Sequence, residues 1–166
     1  MKGLSFILLG SNMGNREELL NEAIEQIELR CGKLVLKSSL YESEPWGFDA
    51  DIYFLNQAIA IESVLSPHDL LNELLTIEAE LGRKRKENHI GYESRPIDLD
   101  IIYYEDIINS DEDLILPHPR LHLRRFVLMP ICEIAPDFIH PILQETNSGL
   151  LERCEDHSEV RMYYSH

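Results

Sequence analysis

Two helical stripes with a pair of strands between them constrain the fold of this 166-residue chain more than any other feature. Leu19, Leu20, Ala23, Ile24 and Ile27 recur at helical spacing, and so do Leu70, Leu71, Leu74, Ile77 and Leu81. The first helix opens on Asn15, with Glu18 three residues on as a capping box, and is expected to stop near Gly32. The second opens on Ser66 with Pro67 at its first position, and Gly82 is expected to end it. Between them lie two strand patterns, 33–41 and 54–62, joined by a connection that carries Glu44-Pro45-Trp46-Gly47-Phe48-Asp49. An apolar strand precedes the first helix at 3–9 and another follows the second at 96–104. A short strand is expected at 114–116 and helical segments at 120–134, interrupted near Pro130. The tail after Asn147 has no clear pattern. Hairpin-like strand pairs with helices between them predict an α+β fold on an antiparallel sheet, and the lack of repeats or linkers predicts one domain over 1–166.

The formal net charge of −15 argues against general nucleic-acid or anionic-membrane binding. The cations are nevertheless clustered: Arg83, Lys84, Arg85, Lys86, Arg95, Arg120, Arg124 and Arg125 are eight of the fifteen Lys and Arg. At short range such a cluster can hold a small, highly charged anion despite the overall charge. Cys31, Cys132 and Cys154 are odd in number and lack metal-type spacing, which fits a reducing compartment. The apolar run 4–9 is too short for a signal core or a membrane span, so a cytoplasmic location is expected.

Three segments have the residue types for chemistry. In Arg95-Pro96-Ile97-Asp98-Leu99-Asp100-Ile101-Ile102, strand alternation puts Asp98 and Asp100 on one face and Ile97, Leu99 and Ile101 on the other. Aspartate is disfavoured in strands. The pair therefore reads either as a site for a hard cation such as Mg²⁺, which takes one or two carboxylates plus phosphate oxygens, or as solvated charges guarding a sheet edge. The segment 116–126 places His118, His122, Arg120, Arg124 and Arg125 in one window, either a phosphate-binding group or a helix start with solvated arginines. Gly82-Arg83-Lys84-Arg85-Lys86 reads either as cations complementing a helix C-terminus or as a basic clamp, and 83–94 is long enough for a functional lid. No Gly-rich phosphate loop of the Lys-Ser/Thr type occurs.

Together, Gly10-Ser11-Asn12, Asn56, Gly82-Arg83-Lys84-Arg85, Arg95 with Asp98-Leu99-Asp100, the 116–126 segment and Glu133-Ile134-Ala135-Pro136 resemble the 6-hydroxymethyl-7,8-dihydropterin pyrophosphokinases of folate biosynthesis. The resemblance covers about 4–136. It implies a ferredoxin-like α+β fold and a diphosphotransferase that uses ATP, two Mg²⁺ ions and a reduced pterin and releases AMP. A monomer acting on small molecules is expected. The resemblance also implies that Asp98 and Asp100 hold the metal. Arg83, Arg85, Arg95, His118 and Arg124 surround the triphosphate, with Arg85 and Arg95 catalytic alongside the aspartates, and Glu78 contacts the nucleotide. On the pterin side it implies Asn56 at the ring edge, Phe54 and Phe126 against the ring, and Ser43, Pro45 and Trp46 at the rim. Many members have Trp-Gly-Pro before the arginine matching Arg95. Here 90–94 is Ile90-Gly91-Tyr92-Glu93-Ser94, and no role is carried onto Tyr92. Asp113 and Pro119 also replace residues that help hold the nucleotide in some members. Two other readings remain open on the residues alone: a non-catalytic binding module, and γ-phosphoryl transfer yielding ADP.

Overall fold

The structure is a computed structural model that describes residues 2–12, 14–44, 53–86 and 97–164, the side chains of 83–86 excepted. Strand β1 (Gly3–Ser11) leads into α1 (Arg16–Arg30), then β2 (Gly32–Lys37), β3 (Leu40–Ser43) and β4 (Phe54–Ser63). Helix α2 (Pro67–Lys86) and β5 (Asp98–Tyr104) complete a βαββαβ unit, in which β2 and β3 together occupy one strand position. The sheet runs β5-β1-β4-β3, with β2 also on β4, and these pairings are all antiparallel. This is the ferredoxin-like α+β arrangement expected from the sequence.

Local chemistry sets the element boundaries. The Asn15 side chain accepts a hydrogen bond from Glu18 N at 3.1 Å, and Ser66 Oγ accepts one from Asp69 N at 3.1 Å, so both predicted caps form. The five predicted stripe residues of α1 are its buried face. They join Leu70, Leu74, Ile77 and Leu81 of α2 and Ile7, Leu9, Leu55, Ile59, Leu99 and Ile101 of the sheet in one core. The other sheet face holds a second core, with Phe6, Leu8, Ala58, Ala60, Ile102 and Tyr103 packed beneath helix α3 (Arg125–Ile134).

Three expectations need correction, and the tail, for which there is none, has defined structure. The strand expected at 33–41 is two strands. Lys37 pairs with Ile59 and Tyr41 with Asn56, four residues along one strand against three along the other. The extra residue is accommodated at Ser38, whose Oγ accepts from Ala58 N at 2.9 Å in place of a ladder carbonyl. Helix α2 does not stop at Gly82 but runs to Lys86. A glycine inside a helix costs only about 1 kcal/mol, and the four cations that follow suit a helix C-terminus. Pro130 does not interrupt α3. The break falls at Arg124, which is extended (φ −124°, ψ 112°) between the 3-10 turn Leu121–Leu123 and α3. The tail is ordered: α4 (Asn147–Glu152) packs near α3, and β8 (Val160–Tyr163) adds to the sheet beside β3. Between β5 and α3, β6 (Asn109–Ser110) pairs with β7 (Ile115–Leu116), the short strand expected at 114–116.

Candidate active site

Strand register brings the polar residues together. Gly10 on β1 lies opposite Asn56 of β4 on one side and Asp98 of β5 on the other. One row on, Leu8 lies opposite Ala58 and Asp100. Because side chains alternate, Asp98, Asp100, Gly10 and Asn56 share the face occupied elsewhere by the second core. Glycine adds no side chain to the middle of this row, so the floor dips between the amide and the carboxylate.

A cleft of about 200 Å³ opens there, lined by Leu8, Gly10, Ser43, Glu44, Phe54, Asn56, Asp98, Asp100, Arg124 and Phe126. Asn56 is 2% exposed. Its Nδ2 donates to Ser43 Oγ at 2.8 Å and to Tyr41 O at 3.4 Å, which fixes the amide orientation. Phe126 comes from the first turn of α3, and the Arg124 guanidinium lies 5.7 Å from its ring centroid. The α3 helix is in turn tied to β3 by Tyr41, whose hydroxyl donates to Glu133 Oε1 at 2.5 Å. Burial and the adjoining Glu133 carboxylate push the Tyr41 phenol well above its ordinary range, so it stays a donor.

Asp98 is half-buried and Asp100 exposed, while Leu99 between them is buried. The backbone there is held from behind, since Glu78 Oε2 accepts from Leu99 N at 2.7 Å. Glu78 thus links α2 to the strand between the two aspartates, and it does not line the cleft. His118 also stands outside the lining. Its backbone N–H donates to Ile102 O at 2.9 Å, and its Nδ1 accepts from Arg120 N at 3.2 Å, which leaves the ring proton on Nε2. Burial first, then Arg124 and Arg120, lower its pKa to about 4, so near neutral pH the ring is an uncharged donor.

Of the residues that the resemblance assigns to metal, triphosphate and pterin, Ser43, Phe54, Asn56, Asp98, Asp100, Arg124 and Phe126 line this one cleft. Arg83 and Arg85 lie on the last turn of α2, and their side chains fall outside the described part. Pro45, Trp46, Tyr92 and Arg95 lie outside the described residues. The sequence reading missed Leu8 and Glu44, and it undervalued Gly10. The strand expected at 3–9 runs on to Ser11, which makes Gly10 a central-strand glycine, a position that marks close approach by another group.

No cluster of three or more His, Cys, Asp or Glu side chains suited to a metal occurs among the described residues. Two carboxylates on one strand face are nonetheless the donor set expected for Mg²⁺ shared with phosphate oxygens, since that ion keeps few protein ligands. The residues present fit the ion.

A family model for 7,8-dihydro-6-hydroxymethylpterin-pyrophosphokinase (HPPK) matches residues 6–136. A 2-amino-4-hydroxy-6-hydroxymethyldihydropteridine pyrophosphokinase of Porphyromonas gingivalis is 44% identical over 138 residues, covering 82% of this chain and 92% of that protein. The protein of the same name from Bacillus subtilis is 40% identical over 135 residues, covering 81% and 79% respectively. A crystal structure of wild-type Plasmodium falciparum HPPK-DHPS superposes with a TM-score of 0.74 at 16% identity, a likeness of fold. It spans 92% of this chain and 43% of that longer one. With a family match over most of its length and relatives at this level of identity, the chain belongs to the 7,8-dihydro-6-hydroxymethylpterin-pyrophosphokinase family.

Proposed function

We propose that this pyrophosphokinase joins the hydroxymethyl oxygen of 6-hydroxymethyl-7,8-dihydropterin to the β-phosphorus of ATP. The bond from that phosphorus to the α-phosphate oxygen breaks, AMP leaves, and the hydroxyl proton is released. The row Asp98–Gly10–Asn56 within one cleft carries the reading, because it sets a carboxylate wall beside an apolar slot with an amide at its end.

The pterin lies over Gly10 with its donor and acceptor edge on Asn56, its ring between Phe54 and Phe126, and Ser43, Pro45 and Trp46 at the rim. Asp98 and Asp100 would hold two Mg²⁺ ions, which would supply charge neutralisation to the triphosphate. Arg83, Arg85, Arg95, Arg124 and a neutral His118 hold the triphosphate, and Arg85 and Arg95 absorb charge on the transferred group and on AMP. Glu78 contacts the nucleotide from α2 while it keeps Leu99 in place. The enzyme acts as a cytoplasmic monomer of one domain on small-molecule substrates, without nucleic acid or membrane. No helix among the described residues is long and apolar enough to cross a membrane.

Chromatography of the nucleotide products tests the reaction. AMP formed in step with the pterin pyrophosphate is expected. ADP as the stoichiometric product, or no pterin-dependent turnover, would refute it.

A further inference from the structure

The first residue of α1 is a cation, Arg16, where the helix dipole favours an anion. Its partners account for the placement. Arg16 Nη1 lies 3.0 Å from Glu42 Oε2 and donates to the backbone carbonyl of Tyr53 at 2.6 Å. Glu42 is also held from the other side, with Arg161 Nη2 of β8 at 3.1 Å from its Oε1. The Arg161 guanidinium lies 5.8 Å from the centroid of the Tyr53 ring, and that of Arg16 lies 5.5 Å from the Tyr163 ring. The Glu42 and Arg16 side chains are only 16% and 18% exposed, so water screens this pair less than a surface pair.

Alternation along β3 puts Glu42 on the face opposite Tyr41 and Ser43, away from the cleft. None of Arg16, Glu42 and Arg161 lines it. They grip the residues at its end instead. Tyr53 is covalently joined to Phe54, Glu42 to Ser43, and Ser43 pairs directly with Phe54 across the two strands. Ser43 in turn accepts the amide hydrogen bond of Asn56. Arg161 lies beyond residue 136, where the family match stops, so the tail brings a contact that the matched segment does not contain.

We propose that Arg16, Glu42 and Arg161 are positioning residues, a cation–carboxylate–cation clamp behind the sheet that sets Tyr53–Phe54 and Ser43 for the pterin, with β8 acting as a distal support of the substrate site. The proposal rests on the pterin reading of the cleft. Loss of the clamp loosens the aromatic wall on one side of the cleft and leaves the Asp98–Asp100 side unaltered. The signature is a selective effect on one substrate.

Steady-state kinetics on Arg161→Ala and Glu42→Gln, with each substrate varied in turn and a thermal melt of each variant, test it. Arg161 is 58% exposed, so its truncation leaves the fold intact. Arg161 also pairs on the exposed side with Glu159 at 3.3 Å, and loss of its pair with Glu42 is expected to raise the KM for the hydroxymethyl dihydropterin about fivefold in Arg161→Ala, the upper range for one such ion pair. KM for MgATP and kcat should stay within about twofold of the parent values, as for sites without shared contacts. Glu42→Gln, which keeps the shape and removes the charge, should show the same selectivity. Unchanged pterin KM in both variants would overturn the clamp. So would parallel rises in both KM values that track a fall in Tm, because that marks a merely structural role. If the unsubstituted protein gives no pterin-dependent AMP, the functional reading itself fails, and the clamp with it.

Discussion

Gly10→Ala separates the site from the scaffold at a single atom. Gly10 is the middle of the row that joins Asn56 to Asp98, and its backbone is not in the left-handed region that disfavours alanine, since Gly14 alone among the described glycines has positive φ. An added Cβ would meet Asn56 Oδ1 at 3.3 Å, with no other neighbour inside 4 Å among the described residues. The empty protein can absorb this with a shift of a few tenths of an ångström. Replacing glycine by alanine at a compatible position gains about 0.4–1 kcal/mol through the unfolded chain. Stability should therefore change little, and Tm should stay within about 3 °C of the parent value.

Ligand binding should move the other way. The methyl group rises from the floor of a cleft of about 200 Å³ and displaces the amide that reads the pterin edge. Overfilling a packed site costs about 1–3 kcal/mol, which corresponds to roughly 5- to 150-fold in Kd. Because the methyl presses on Asn56 and not on Asp98, affinity for a non-hydrolysable ATP analogue with Mg²⁺ should stay within about twofold. Calorimetric titration of each ligand, beside a melt, reads all three quantities. Parent-like pterin affinity in folded Gly10→Ala protein would refute the placement of the pterin over Gly10.

Asp98→Asn and Asp100→Asn should each lower kcat by about 10²-fold or more at saturating Mg²⁺ while the circular dichroism melt is preserved; near-parent turnover in both would remove the metal assignment. Phe126→Ala should weaken pterin more than MgATP, and Arg85→Ala should do the reverse, with equal losses in a folded Phe126→Ala protein counting against its place beside the ring. His140 is buried, and its Nδ1 accepts from Ile142 N at 3.1 Å and Leu143 N at 3.0 Å, which requires the unprotonated ring nitrogen. Burial first, then His122, lower its pKa from 6.5 to about 4. The unfolded chain takes up this proton first, so the contribution is present above 6.5 and is lost as pH falls towards about 4. His140→Asn should flatten the fall in Tm over that window relative to the parent, and an identical pH dependence in the two proteins would contradict it.

The parts of this fold that were legible in the sequence are those whose signal is local. Asn15 and Ser66 cap their helices because a side-chain oxygen reaches an amide three residues away. The carboxylate pair was visible because a period of two needs no partner strand to assign a common face. What was hidden depends on contacts made far along the chain. The split at Ser38 comes from register against Ala58, and the order of the tail comes from docking β8 on β3, where Glu42 meets Arg161 across 119 positions. The helix end at Gly82 was misread because glycine signals a stop only where the backbone turns left-handed, and a sequence does not display φ. Gly10 became meaningful only once register placed it between Asn56 and Asp98.

Register also explains how a sheet can afford a polar floor. On the face beneath α3, the rows pass within a few residues from Phe6, Ala60 and Tyr103, through Leu8, Ala58 and Asp100, to Gly10, Asn56 and Asp98. The same surface changes from core to site where α3 begins, at Arg125, with Phe126 at the boundary. Directly behind the Gly10 row the opposite face stays buried. Leu9, Leu55 and Leu99, which alternate with the site residues, are all buried under α1 and α2. Each full burial of a side chain of this kind stabilises by roughly 1.5–3 kcal/mol, so the helical layer can hold the strands while their other face remains polar. In the rows of β1, β4 and β5, a substitution on the cleft face then reports on ligand, and one among the buried leucines behind it reports on folding. Leu99→Ala, flanked by Asp98 and Asp100 yet pointing the other way, should cost about 2–5 kcal/mol of stability. Leu99→Met, which keeps the volume, should cost less than about 1.5 kcal/mol and retain turnover. If Leu99→Met loses turnover as fully as Asp98→Asn while remaining folded, the two faces of the strand are not independent, and the division of labour between them is wrong.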